Sequence, residues 1–174
     1  MPGTPFSVEI ANRLLGPMSI EEAVPGTNSI DTCRALFREY EKTLGVSLCF
    51  QGFEQELASL PGAYARPRGR LLLARIVGEP AACVALRPLG ERDGEMKRLY
   101  VRPAYRGMGL GRMLAECVID EARAIGYATL KLDTLPAMKE AQRMYAQLGF
   151  VDVPPYNDNP VAGTRFMSLD LARA

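Results

Sequence analysis

Apolar residues recur along this chain at two periods, and the changes of period divide it into elements. From about Ile30 to Leu44, the residues Leu36, Phe37, Tyr40 and Leu44 fall at helical spacing. Asn28, Ser29 or Asp31 can cap that helix and Gly45 stops it. A shorter helical pattern covers Phe50 to Leu60 and ends at Pro61-Gly62. Three runs then read as strands, Arg70 to Val77, Pro80 to Leu86 and Glu95 to Val101, separated by Gly78-Glu79 and by the turn-rich RPLGERDG. This order predicts an antiparallel meander, which Arg102-Pro103 terminates because proline donates nothing to a ladder. From Leu110 to about Ile125, the residues Leu110, Met113, Leu114, Cys117, Val118 and Ala122 predict an amphipathic helix stopped by Gly126. A strand over Ala128 to Leu132, a helix from about Met138 to Leu148, a strand from Phe150 and a last strand from Thr164 to Leu169 complete the series. The pattern predicts an α/β fold with a mixed sheet, mostly antiparallel up to residue 101 and crossing over through a helix after it. At 174 residues, one domain over 1–174 is expected.

Between the third strand and its helix lies RGMGLGR, Arg106 to Arg112, with glycine at every second position. Glycine accepts positive φ and lets backbone N–H groups approach a ligand without a Cβ in the way, so such turns suit phosphates. The spacing is neither G-x-G-x-x-G nor G-x-x-x-x-G-K-[ST], which disfavours a dinucleotide oxidoreductase. The order strand, glycine loop, helix is nevertheless the context of an anion site, since the first helical turn has free N–H groups and the positive end of the dipole.

Composition narrows the chemistry. With no histidine in the chain, Ser-His-Asp and Cys-His catalysis are excluded, and proton transfer falls to Glu, Asp, Tyr, Lys, Cys or water. Cys33, Cys49, Cys83 and Cys117 form no C-x-x-C pair, and metal is not expected. The opening lacks a secretory pattern and no apolar run is long enough for a membrane span, so a cytoplasmic address without a membrane partner is expected. The net charge of +1 disfavours a nucleic-acid partner. Charge is uneven, however: the stretch from Tyr64 to Arg112 is cationic, which suits a polyanionic ligand, and the stretch before it is acidic, which hints at a cationic acceptor.

The segment LYVRPAYRGMGLGRML, followed by a helix, a strand and AQRMYAQLGF, resembles the GNAT superfamily of acetyl-CoA-dependent N-acetyltransferases. Arg106, Gly107, Met108, Gly109, Leu110 and Gly111 match that family's R/Q-x-x-G-x-G/A pyrophosphate loop. The resemblance implies a strand at Leu99, Tyr100 and Val101 that splays from its neighbour, with pantetheine lying along it as an extra strand. It implies acetyl-CoA as cosubstrate, a primary amine of a small molecule or peptide as acceptor, and room for a homodimer. Arg106 and Arg112 can add charge-assisted bonds to phosphate, and Arg102 or Arg98 is a candidate for the 3′-phosphate. Tyr145 occupies the position whose hydroxyl, by resemblance, protonates the leaving sulfur; its alternative is a half-buried core tyrosine. Glu95 resembles the glutamate that some members use as base, directly or through water. Period-2 alternation would put Glu95, Lys97, Leu99 and Val101 on one face, where Glu95 and Lys97 could equally be a surface ion pair. Asp133 is a further candidate for the base, and a backbone N–H near Leu99 to Val101 could serve the oxyanion. Where many members carry an asparagine that contacts the cofactor, this chain has Met138. Phe50, Phe53, Tyr156 and Asn159 are candidates to frame the acceptor. The competing function is an acyl-CoA-binding sensor without chemistry.

Overall fold

The computed structural model describes residues 16–49 and 52–172. Seven strands, β1 (Met18–Glu22), β2 (Arg70–Ile76), β3 (Glu79–Pro88), β4 (Asp93–Val101), β5 (Thr129–Thr134), β6 (Val151–Val153) and β7 (Arg165–Asp170), make one sheet. Their spatial order is β1-β2-β3-β4-β5-β7-β6. The helices are α1 (Asn28–Leu44), α2 (Phe53–Ser59), α3 (Leu110–Ile125) and α4 (Lys139–Gln147). Among the described strands only β4 and β5 pair in parallel, and α3 is the crossover that joins them.

Alternation along β2 divides the core in two. Leu71 and Leu73 face one side with Cys83 and Ala85 of β3, where Ile30, Cys33, Leu36 and Phe37 of α1 and Phe53 and Leu57 of α2 cover them. Leu72 and Ala74 face the other side with Val84 and Leu86, under Leu110, Met113, Leu114 and Val118 of α3. The i, i+3, i+4 spacing of both helices thus maps onto two faces of one sheet. Two details differ from the sequence-based expectation. The α1 cap is Thr27, whose hydroxyl accepts from Ser29 N, rather than Asn28, Ser29 or Asp31. Residues 18–22, with no element expected, form edge strand β1, whose Glu21 and Glu22 pair with Arg75 and Arg66.

The feature that positions the site is a break in β4. Lys97 lies opposite Ala85 and Tyr100 opposite Cys83, so Arg98 and Leu99 together face Val84 across a β-bulge. Arg98 sits there at φ 58. The bulge overturns the simple alternation: Leu99 and Val101 pack toward the α3 core, whereas Tyr100 joins Lys97 and Glu95 on the α1–α2 side. Pairing of β4 with β5 stops at Glu95–Lys131, although β5 continues along β7 as far as Thr134. Beyond that rung the two parallel strands diverge.

Candidate active site

The divergence opens a cavity of about 710 Å³ walled by β4 from Met96 to Val101, the C-terminal end of β5, the glycine loop, α4 and one side of α1. At one end, Gly107 and Gly109 take φ 76 and 82, and a Cβ on either would meet nothing within 4 Å. Gly109 is the residue before α3, where it supplies no side-chain cap, and the first turn holds no acidic residue. The first intrahelical bond runs from Met113 N to Gly109 O at 3.0 Å. Among the described residues, the N–H groups of Gly107, Met108, Gly109, Leu110, Gly111 and Arg112 donate to nothing. A glycine-lined helix N-terminus with its donors free fits the oxygens of a pyrophosphate.

The arginines near this end are partly committed. Arg106 donates from Nε to Val101 O at 3.0 Å, and Arg112 contacts Gln147 at 2.6 Å and Glu116 at 3.6 Å. Met108 points to solvent, 40% exposed. Arg98 and Arg102 do not reach out as phosphate ligands: Arg98 is buried on Glu56, and Arg102 holds Glu39 at 2.9 and 2.7 Å. These pairs also undercut the expectation of a cationic acceptor. The acidity of the N-terminal segment is answered by arginine, with Glu54 likewise bound by Arg38 at 3.0 Å.

The middle of the cleft runs along Leu99, Tyr100 and Val101, whose β5-facing edge has no strand partner. At its inner end, Tyr145 of α4 is buried, packs on Phe150 at 5.7 Å between ring centroids, and its hydroxyl makes no hydrogen bond within the described residues. Burial raises its pKa, so it stays protonated at neutral pH. A buried hydroxyl left without a partner while lining a cavity is a group in want of a ligand atom. Tyr40 of α1, pushed up to about 12 by burial, lines the same end.

Behind this end lies a charged network. Glu95 is fully buried and takes Arg87 Nε at 2.7 Å and Tyr156 OH at 3.1 Å, with the Lys97 ammonium 3.7 Å away. The Glu95–Lys97 pair therefore exists, but in the interior rather than on the surface. Lys97 separates Glu95 from the cleft and also lies 3.4 Å from Asp133, which does line it. Asp133 accepts from Asn159 at 3.1 Å and Asn157 at 3.3 Å. Burial alone would raise its pKa, yet the Lys97 ammonium and the two amides outweigh burial and hold it below the ordinary carboxylate value. Sequence reasoning had no signal for the Lys97 bridge, because alternation puts Glu95 and Lys97 on one face of β4 without saying that this face is buried. Of the expected acceptor residues, Asn159 lines the cleft and Tyr156 stands one layer behind it. Phe53 lies beneath the Arg98 guanidinium, and Phe50 falls outside the described residues. Met138 lines the cleft with its sulfur 3.7 Å from the Thr134 hydroxyl.

Comparison with known proteins converges on one family. Residues 33–150 match the model of the acetyltransferase (GNAT) family. An uncharacterised N-acetyltransferase of Schizosaccharomyces pombe is 36% identical over 163 residues, spanning 92% of this chain and all of that one. An acetyltransferase of Streptococcus agalactiae superposes with a TM-score of 0.74 at 20% identity, covering 88% of this chain and 98% of the other. A Salmonella typhimurium chain solved with its cofactor acetyl-CoA gives a TM-score of 0.68 at 22% identity, over 90% and 95% of the two chains.

Proposed function

The chain belongs to the acetyltransferase (GNAT) family, and from that premise we propose that it moves an acetyl group from acetyl-CoA to a primary amine by direct transfer. The observation that carries this reading is the pairing of two unsatisfied features in one cleft: the free N–H run from Gly107 to Arg112 at its mouth and the unpartnered Tyr145 hydroxyl at its inner end. They suit the two ends of one elongated thioester: a pyrophosphate at the loop, an amide-bearing arm along Leu99 to Val101, and sulfur at Tyr145.

The chain's residues then divide the work. The glycine-loop amides and the dipole of α3 hold the pyrophosphate, with the guanidinium groups of Arg106 and Arg112 beside it. Backbone N–H groups of the diverging β4 edge stabilise the oxyanion as the amine nitrogen bonds to the carbonyl carbon. The carbon–sulfur bond then breaks, and Tyr145 gives its proton to the departing sulfur. The amine's surplus proton leaves toward Asp133, the carboxylate that reaches the cleft wall. Glu95, one layer behind, fixes Lys97 and thereby Asp133. A sensor without chemistry would not need a buried hydroxyl at the inner end of the cleft.

The test is thiol release from acetyl-CoA against a panel of primary amines, alongside CoA binding by calorimetry. Amine-dependent release is expected. Tight CoA binding with no release from any amine would replace the enzyme with the sensor.

A further inference from the structure

We propose that Arg98, gripped by Glu56 of α2, is the positioning residue that holds the donor-binding edge of β4 open. The inference rests on the acetyl-transfer reading. It starts from an anomaly: a bulge whose first residue is left-handed ordinarily takes glycine, because a Cβ is strained at positive φ, yet here an arginine sits at φ 58 in mid-strand. Such a conformation persists only where the surroundings over-determine it.

The surroundings do so through the side chain. Arg98 Nε meets Glu56 Oε1 at 2.9 Å and Nη2 meets Oε2 at 2.6 Å, a fork-on-fork pair whose side chains are 3% and 14% exposed. The guanidinium lies over the Phe53 ring, 5.2 Å from its centroid. Tyr64 OH fixes the same carboxylate at 2.7 Å, and the Cys83 thiol donates to Arg98 O at 3.6 Å. Helix α2, the short turn after it and β3 therefore all act on one residue.

That residue stands where the cleft begins. The last β4–β5 rung is Glu95–Lys131, and the bulge follows within three residues. A bulge bends its strand and increases the local twist, which carries Leu99 to Val101 away from β5. A straight β4 would continue its ladder toward Thr134 and close the groove. The Arg98–Glu56 grip thus acts on the reaction through the backbone it shapes.

Two substitutions at one position separate this role from a merely stabilising ion pair. Both Arg98→Ala and Arg98→Gly abolish the grip, but only glycine adopts positive φ without strain. Arg98→Ala should lower kcat about 10- to 100-fold with little change in the acceptor KM, while Arg98→Gly should stay within about 3-fold of the wild type. Equal kcat in the two folded variants overturns the proposal. If Arg98→Ala does not fold, Glu56→Gln replaces it: a loss in kcat is expected, relieved on adding Arg98→Gly, and no relief overturns the proposal. Should the wild type release no thiol with any amine, the acetyl-transfer reading falls and the grip is read from binding alone. Arg98→Ala should then bind CoA more weakly than Arg98→Gly, yet bind adenosine 3′,5′-diphosphate, which lacks the arm along β4, equally. The same CoA affinity in both variants overturns it.

Discussion

At the scale of single residues, Tyr145 and Asp133 are the proposed acid and base, and their environments set opposite protonation states. Burial keeps the tyrosine neutral, while Lys97 and two asparagine amides keep the aspartate ionised. Tyr145→Phe should therefore retain CoA affinity and lower kcat by about 10²-fold, because the ring still packs on Phe150 while the sulfur loses its proton donor. A kcat within about 3-fold of wild type would return Tyr145 to a packing role. A carboxylate held below its ordinary pKa is already deprotonated across the working range, so it imposes no limb on the pH profile near neutrality. With no histidine in the chain, the low-pH limb of kcat/KM should instead follow the acceptor's own ammonium. Two acceptors whose amine pKa values differ by about two units should shift that limb by the same amount; a limb fixed near pH 6 for both would mark an enzyme base instead. The place of Tyr145 on the cleft wall was legible in the sequence, because a tyrosine before an L-G-F element has a fixed position in the resemblance. Burial of Glu95 and Lys97 was not, since two charged residues in a strand read equally well as a solvent-facing pair.

Elements were legible where the pattern was strong and local. Helix α3 runs from Leu110 to Ile125 as its apolar spacing requires, and the three central strands fall where their apolar runs lie. Strand β1 escaped because five residues ending in Glu21 and Glu22 look polar until Arg75 and Arg66 are seen across the edge. The β4 bulge escaped because its cause is a partner 42 residues earlier in the chain, Glu56. The glycine loop was legible as a motif, and the structure adds what the motif leaves open: at φ 82, Gly109 needs a left-handed backbone as well as an open face. Gly109→Val should accordingly weaken CoA binding at least about 10-fold through obstruction of the amides, and cost about 1–2 kcal/mol of stability through strain at positive φ. Calorimetry and thermal unfolding on the same preparation separate the two effects. Lost stability with unchanged CoA affinity would remove this loop from the binding site.

For the whole molecule, the paired and buried ionisable groups define where the fold is stable in pH. On the acid side, Glu39 is held below its ordinary pKa chiefly by hydrogen bonding to Arg102; at Glu56, burial pushes upward but Arg98 and Tyr64 outweigh it, as Lys97 and the amides do at Asp133. A carboxyl group whose pKa is depressed by folding stabilises the native state above its unfolded value, about 4, and that contribution is lost as pH falls through the lower native value. On the alkaline side, burial raises the Cys33 thiol to about 12 and puts Cys83 well above its ordinary value. A thiol that ionises only when unfolded contributes fully below about pH 8.5, and the contribution fades as pH rises toward the native value. Between these limits the absence of histidine leaves no side chain of ordinary pKa to titrate. Thermal unfolding should therefore give a Tm flat to within about 2 °C from pH 5.5 to 8, falling below about pH 4.5 and again above about pH 9. Glu56→Gln should shrink the acid fall, because it removes one of the carboxylates whose protonation drives it. A step in Tm between pH 6 and 7, or an acid limb unchanged in Glu56→Gln, would mean that other groups govern the stability of the fold.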